Sequence, residues 1–288
     1  MTRSPHTTGV LLAASGMLLI SLDSLWIRLS EAGSWEVAFW LGTFIALSMS
    51  VLVRLVTGRS PVSILRRDGL PLLVSGALQS GSGIFFVLAL GLTTVANVVV
   101  IIATAPILAG VVARLTIGES APRRVWLATP VSIAGIALVV GGSLGAGRIE
   151  GDLLAVAAIS CFAFNVTLWR RYPDLNRMMA VGLGGLGMAL VSLVAASPSS
   201  VDGRALGILA VAGVLTGPAG RVALASSTRF LGAAQASLFT PIETVAATTW
   251  AWLFLGEPAP ATTIAGGAIV LAAVVYGTSR PRVSPSPG

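Results

Sequence analysis

Ten predominantly apolar runs follow one another almost end to end along this chain, at 8–29, 35–56, 70–90, 95–117, 125–143, 152–171, 177–197, 205–226, 231–255 and 262–279. Each is about as long as the roughly 20 residues that a helix needs to cross a bilayer's hydrocarbon core. In hydrocarbon the backbone finds no water, so each run must satisfy its own N–H and C=O groups, and only a helix does so within one segment. The expected fold is an all-α integral membrane protein with ten transmembrane helices. Ten spans consume about 200 of the residues, and the short loops that remain leave no room for a soluble catalytic domain. Composition agrees: 10% of residues are charged and 55% hydrophobic, with 33 glycines besides, where a soluble chain carries about 25% charge. Span one is interrupted by Asp23 and span eight by Gly217-Pro218-Ala219-Gly220. The first run follows Arg3 and His6, as a secretory signal would, but it lasts 22 residues and has a counterpart later in the chain. It is read as a span.

A net charge of +7 would suggest nucleic-acid binding in a soluble protein. Here all 18 basic residues are arginines, placed singly or in pairs at the ends of apolar runs, as charges flanking membrane helices are. No nucleic-acid partner is expected, and the bilayer is. With the N-terminus in the cytoplasm, 15 arginines fall inside and only Arg28, Arg148 and Arg204 outside; both termini are therefore expected to be cytoplasmic. The seven tryptophans, Trp26, Trp35, Trp40, Trp126, Trp169, Trp250 and Trp252, lie near span ends and read as an interfacial belt. Cys161 is the one cysteine and His6 the one histidine. A disulfide, a His-rich metal site and an intramembrane Cys-His or Ser-His pair are thus excluded, and no metal or cofactor is expected.

The sequence also matches itself. Gly9-Val10-Leu11-Leu12-Ala13 falls on Gly151-Asp152-Leu153-Leu154-Ala155, a register that sets Asp23 on Asn165 and Arg28 on Arg170. Ile117-Gly118-Glu119-Ser120-Ala121-Pro122 falls on Leu255-Gly256-Glu257-Pro258-Ala259-Pro260. Two five-helix halves follow, 1–144 and 145–288. A unit with an odd number of spans, repeated directly, enters the membrane from opposite sides, so the halves are expected to be inverted. That is the architecture of many alternating-access transporters, whose substrate site lies near the midplane.

Two halves, each ending in an apolar helix, Gly-Glu-x-x-Pro and a Gly/Ala-rich helix, resemble the EamA-type members of the drug/metabolite transporter superfamily, and among these the chain looks most like the YddG-type amino-acid exporters. The resemblance implies ten helices, cytoplasmic termini, a central cavity lined mainly by spans one, three, four, six, eight and nine, and export of small metabolites, including aromatic and other amino acids.

Depth along each span, at about 1.5 Å per residue, places Gln79, Thr104, Thr216, Thr240 and Glu243 near the midplane, Asn97 and Asp23 nearer the outside and Asn165 nearer the inside. Gln79, Asn97, Thr104, Asn165, Thr216, Thr240 and Glu243 are the candidate substrate ligands. An ionisable group at such a depth costs about 3 kcal/mol, so Glu243 reads either as a site for a substrate ammonium or a proton, or as a carboxyl satisfied by the Thr240 or Thr244 hydroxyl. Asp23 and Arg28 read as an interfacial pair, and Arg221 either as snorkelling inward or as facing the cavity toward an anionic group. Gln79, in Gln79-Ser80-Gly81-Ser82-Gly83, suits helix packing as well as cavity lining. Pro106, Pro218 and Pro241 sit within spans and read as hinges, with static shaping as the alternative; Pro130 is a fourth such proline. Gly213-x-x-x-Gly217 suits close packing inside the bundle. Glu119 and Glu257 suit the N-termini of the helices that follow them.

The expected function is a secondary transporter exporting amino acids or similar small zwitterions across a bacterial-type inner membrane by alternating access, acting as a monomer. An exporter of other drug-like solutes is the nearest alternative. A membrane-embedded enzyme would show intramembrane His or clustered Asp and Arg, and a channel a charge ring or carbonyl filter. No Gly-x-x-x-x-Gly-Lys-Ser/Thr sequence, and no lysine at all, is present to support an ATP-driven pump.

Overall fold

A computed structural model describes residues 4–93, 95–140, 148–255 and 261–279. Among them the regular structure is helical, with no strand: α1 (Pro5–Ile20), α2 (Leu22–Ser30), α3 (Ser34–Thr57), α4 (Pro61–Leu92), α5 (Val95–Ile102), α6 (Ala105–Ile117), α7 (Arg123–Val140), α8 (Ile149–Arg171), α9 (Arg177–Ser192), α10 (Gly203–Val211), α11 (Gly217–Ser227), α12 (Ala233–Ser237), α13 (Thr240–Leu255) and α14 (Ala261–Thr278). Helix runs through every apolar run of the sequence. Six stretches are long and apolar enough to cross a membrane: Pro5–Ser30, Ser34–Thr57, Pro61–Ala89, Asn97–Ile117, Ile149–Arg171 and Gly203–Ser227. Arg177–Ser192 and Ile264–Thr278 are apolar but shorter.

Local chemistry sets the helix starts. Ser4 and Ser60 cap α1 and α4 ahead of Pro5 and Pro61, Asn176 Oδ1 accepts the Met179 N–H at 2.9 Å, and Asp202 Oδ1 accepts the Ala205 N–H at 2.7 Å. In α4 the backbone at Gly69 (φ 58°, ψ −140°) leaves the helical region. A left-handed φ of this kind is open mainly to glycine, and it separates a leading helix over 61–68 from the apolar run that begins at 70.

Three spans are helices in pieces and a fourth carries a π turn, and these interruptions have identifiable causes. Span one parts at Ser21, whose hydroxyl donates to the Leu18 carbonyl at 2.7 Å. Asp23, expected as the interruption, instead occupies the first turn of α2. Span four parts between α5 and α6 just before Pro106, and span nine between α12 and α13 just before Pro241. Span eight is continuous through Gly217-Pro218, because a widened π turn over Ala212–Thr216 precedes it. The turn accommodates a carbonyl that the proline nitrogen cannot serve.

Helices of the two halves pack in pairs: α3 on α9, α7 on α14, α1 on α11, α4 on α8 and α6 on α12. Three of these contacts close on glycines. A Cβ on Gly42 would lie 2.7 Å from the Gly185 carbonyl oxygen, one on Gly16 would lie 2.8 Å from that of Gly220, and one on Gly135 would lie 2.9 Å from that of Gly266. Backbone contact of this closeness is how helices associate where lipid removes the hydrophobic drive. The outer faces stay apolar, with Val194 90% and Leu115 80% exposed; in water so many exposed large side chains would be a liability, and in lipid they are solvated.

Two expectations need correction. Trp169 is 2% exposed and its indole N–H donates to Ser75 Oγ at 2.8 Å. With its polar edge satisfied internally, it belongs to the packed core and not to an interfacial belt. Glu119 does not serve the start of α7; its carboxylate reaches the N-terminus of α12 in the other half. Its repeat counterpart Glu257 lies outside the described residues.

Candidate functional site

Asp23 stands in the first turn of α2, where the helix N-terminus offers a favourable field for a carboxylate. The residue is 7% exposed. Arg221, one turn below the start of α11, donates from Nη1 to Asp23 Oδ2 at 2.9 Å. Gly217 makes the space for this meeting, since a Cβ there would lie 2.7 Å from Arg221 Nη1 and 3.4 Å from Asp23 Oδ1. Of the Gly213-x-x-x-Gly217 pair, only Gly213 serves helix packing, against Leu41 and Phe44 of α3. The sequence reading paired Asp23 with Arg28 and left Arg221 between the membrane surface and the cavity. The structure brings Asp23 and Arg221 together because α2, beyond the break at Ser21, packs against the π turn that leads into α11, while α1 packs on α11 itself.

Glu243 joins them. It lies in the first turn of α13, so it too sits at a positive helix end created by a break, and it feels the charges of both Asp23 and Arg221. The Thr240 hydroxyl does not satisfy it, because that group donates to the Ser237 carbonyl at 2.9 Å. Trp250, on the same helix as Glu243, donates from Nε1 to Ser21 Oγ at 2.8 Å and ties α13 to the α1–α2 break. Among the described residues, Asp23 Oδ1 and Trp26 Nε1 are buried without hydrogen-bond partners. Asp23 is buried and Arg221 and Glu243 are partly buried, and a charge withdrawn from water carries a desolvation penalty of up to several kcal/mol. Groups held at such expense inside a membrane bundle point to function.

The other sequence candidates fall into separate places. Gln79 and Asn165 meet: Asn165 Nδ2 donates to Gln79 Oε1 at 3.0 Å, and Ser75 Oγ donates to Asn165 Oδ1 at 2.8 Å. These join Trp169 in one polar string between α4 and α8. Asn97 Nδ2 donates to Thr93 Oγ1 and Asp152 Oδ1, both at 3.1 Å, near the start of α8. Thr104 donates to the Ile101 carbonyl at 2.6 Å, across the break of span four. Thr216 closes the π turn, its hydroxyl 3.5 Å from the Ala212 carbonyl. Pro106, Pro218 and Pro241 each stand in the first turn of α6, α11 and α13. A hollow of about 410 Å³ lined by Arg67, Asp68, Arg171, Tyr172 and Leu175 lies among span-end residues, away from the charged group.

Sequence reasoning left Asp23, Arg221 and Trp26 out of the candidate ligands, although it allowed Arg221 a place facing the cavity. The available signal was a pair of opposite charges, each inside an apolar run beside a break. Among the described residues no group of three or more His, Cys, Asp or Glu is placed to hold a metal.

Comparison with known proteins places these features in a family. A crystal structure of a protein 17% identical to this chain matches it over 95% of its residues and 98% of that protein's own, with a TM-score of 0.80, a likeness of fold. No curated protein matches the chain. The EamA-like transporter family matches twice, over residues 7–141 and 149–277. The chain therefore belongs to the EamA-like transporter family.

Proposed function

We propose that this protein exports amino acids and similar small zwitterions across a bacterial inner membrane by alternating access, with ten spans, inverted halves over 1–144 and 145–288, and both termini in the cytoplasm. Family membership supplies the frame, transport of a small solute without catalysis. The observation that carries the reading is the Asp23–Arg221 pair with Glu243, a charged group gathered at the breaks of spans one and nine and the π turn of span eight. Discontinuous helices that turn their ends toward a site near the midplane are the working parts of such carriers.

The cross-half packing supports the inverted arrangement. Spans two and seven, four and nine, and five and ten pair with each other, and the pairing of one with eight is matched by that of six with three. Exchanging the halves leaves this pattern unchanged, as a two-fold relation requires. In this reading Gln79, Asn97, Thr104, Asn165, Thr216 and Thr240 line or brace the path, and Pro106, Pro218 and Pro241 are the hinges. The YddG-like assignment rests on general similarity of the sequence to those exporters. Counterflow in liposomes reconstituted with the purified chain tests the proposal: preloaded phenylalanine or leucine drives saturable uptake of the labelled amino acid. Unsaturable flux would indicate a channel, and absence of flux for every amino acid tried would reject amino-acid export.

A further inference from the structure

We propose that Arg221 and Trp26 bind a substrate carboxylate while Asp23 and Glu243 bind its ammonium, making this group the recognition site for an α-amino acid. The inference rests on the export reading and names the chemistry of its site.

The first argument is unfilled hydrogen-bonding capacity. Asp23 Oδ1 is a buried acceptor and Trp26 Nε1 a buried donor, both without partners. They sit three residues apart on α2 and so share a face of the helix. Buried polar groups left unpaired are costly, and a ligand that carries both a donor and an acceptor satisfies the two together. The second is charge. With both carboxylates ionised, the group sums to one negative charge, and its only positive member is Arg221. An ammonium facing Asp23 and Glu243 and a carboxylate facing Arg221 leave no group opposed by its own sign. An anion without an ammonium meets two carboxylates, and a cation without a carboxylate leaves the Trp26 N–H empty.

Geometry supplies the third argument. Arg221 Nη1 holds Asp23 Oδ2 at 2.9 Å, so in the absence of substrate Asp23 stands in for the incoming carboxylate and keeps the guanidinium neutralised. Binding exchanges this internal pair for two pairs with the ligand, and the guanidinium is never left bare. Gly217 lets the guanidinium lie against the backbone, since a Cβ there would fall 2.7 Å from Arg221 Nη1, and so fixes where Arg221 presents its charge.

The test uses the full chain in liposomes with three probes that share one phenyl group: phenylalanine, phenethylamine without the carboxylate and 3-phenylpropionate without the ammonium. The wild type is expected to move phenylalanine in preference to both. Arg221→Gln and Asp23→Asn are expected to lower kcat/KM for phenylalanine about 30-fold or more, the consequence of truncating one member of a buried charge pair, and to abolish the preference. Trp26→Phe removes an N–H that bonds nothing in the unliganded protein and keeps an aromatic ring where Trp26 packs, so it is expected to fold with a modest loss of stability. It is expected to raise KM for phenylalanine about tenfold and to leave phenethylamine uptake unchanged. Trp26→Phe carries the test if the charge variants do not fold. Wild-type discrimination and KM in folded Trp26→Phe, with phenylalanine export intact, overturns the site and leaves the export reading standing. A wild type that moves no amino acid overturns the export reading and the site with it.

Discussion

Arg170 Nε donates to Glu119 Oε2 at 2.7 Å, while Glu119 Oε1 accepts the Ala233 N–H at 2.9 Å. One carboxylate thus joins the end of α6, the end of α8 and the beginning of α12, and Arg170 adds a contact from Nη1 to the Thr228 carbonyl at 3.3 Å. In the proposed orientation this clamp closes the cytoplasmic end of the bundle. Glu119→Ala removes both an ion pair and a helix cap, each partly open to solvent, and is expected to lower stability by about 1–2 kcal/mol. Glu119→Gln keeps an acceptor for Ala233 and loses less. Thermal melting in detergent reads the difference, and equal melting of both variants and the wild type would reject the clamp.

The glycine contacts between halves make a sharper prediction. Gly42→Ala and Gly185→Ala each place a methyl group 2.7 Å from the other helix's carbonyl oxygen, and overpacking of this kind costs about 1–3 kcal/mol. Gly207→Ala is the control, because nothing lies within 4 Å of its added carbon and alanine favours helix by up to about 1 kcal/mol. The melting temperature is expected to fall for the first two and to hold or rise for the third.

Much of this architecture was legible in the sequence, because hydrocarbon imposes helix on any long apolar run and hydropathy reads out that constraint directly. The prolines marked the breaks at Pro106 and Pro241, while Ser21 carried no comparable signal; its break depends on a hydroxyl bonding back to Leu18 and receiving Trp250 from another helix. Glu243 stood out as a lone carboxylate. Arg221 did not, because its long side chain can equally reach water, and only the packing of α1 on α11 turns it toward Asp23. Asn165 and Gln79 were both legible as polar residues within spans; that they bond each other depends on α4 packing against α8. Trp169 was misread for a related reason, since nearness to a span end says nothing about whether an indole faces headgroups or a serine on the next helix.

Asn165, 1% exposed, holds the polar string together by accepting from Ser75 and donating to Gln79. Asn165→Ala leaves both partners unsatisfied and is expected to destabilise the protein by about 1–3 kcal/mol. Trp169→Phe, which removes the donor to Ser75 and leaves a cavity in the core, is expected to cost about 2–3 kcal/mol. If Asn165 braces α4 against α8 and does not contact substrate, melting falls while KM for a transported amino acid stays near the wild-type value. A raised KM at unchanged melting temperature would make it a ligand.

The break in span nine is chemically specific. In a continuous helix the Ser237 carbonyl would accept the N–H of residue 241; Pro241 has none to give, and the Thr240 hydroxyl takes the carbonyl at 2.9 Å instead. Pro241→Ala restores that donor and allows α12 and α13 to join, which stabilises the resting protein and stiffens the point about which Glu243 would move. If the break is a hinge for alternating access, Pro241→Ala raises the melting temperature and lowers kcat several-fold with KM little changed, since the binding groups stay in place. A raised melting temperature with wild-type kcat would make the break a fixed element of shape.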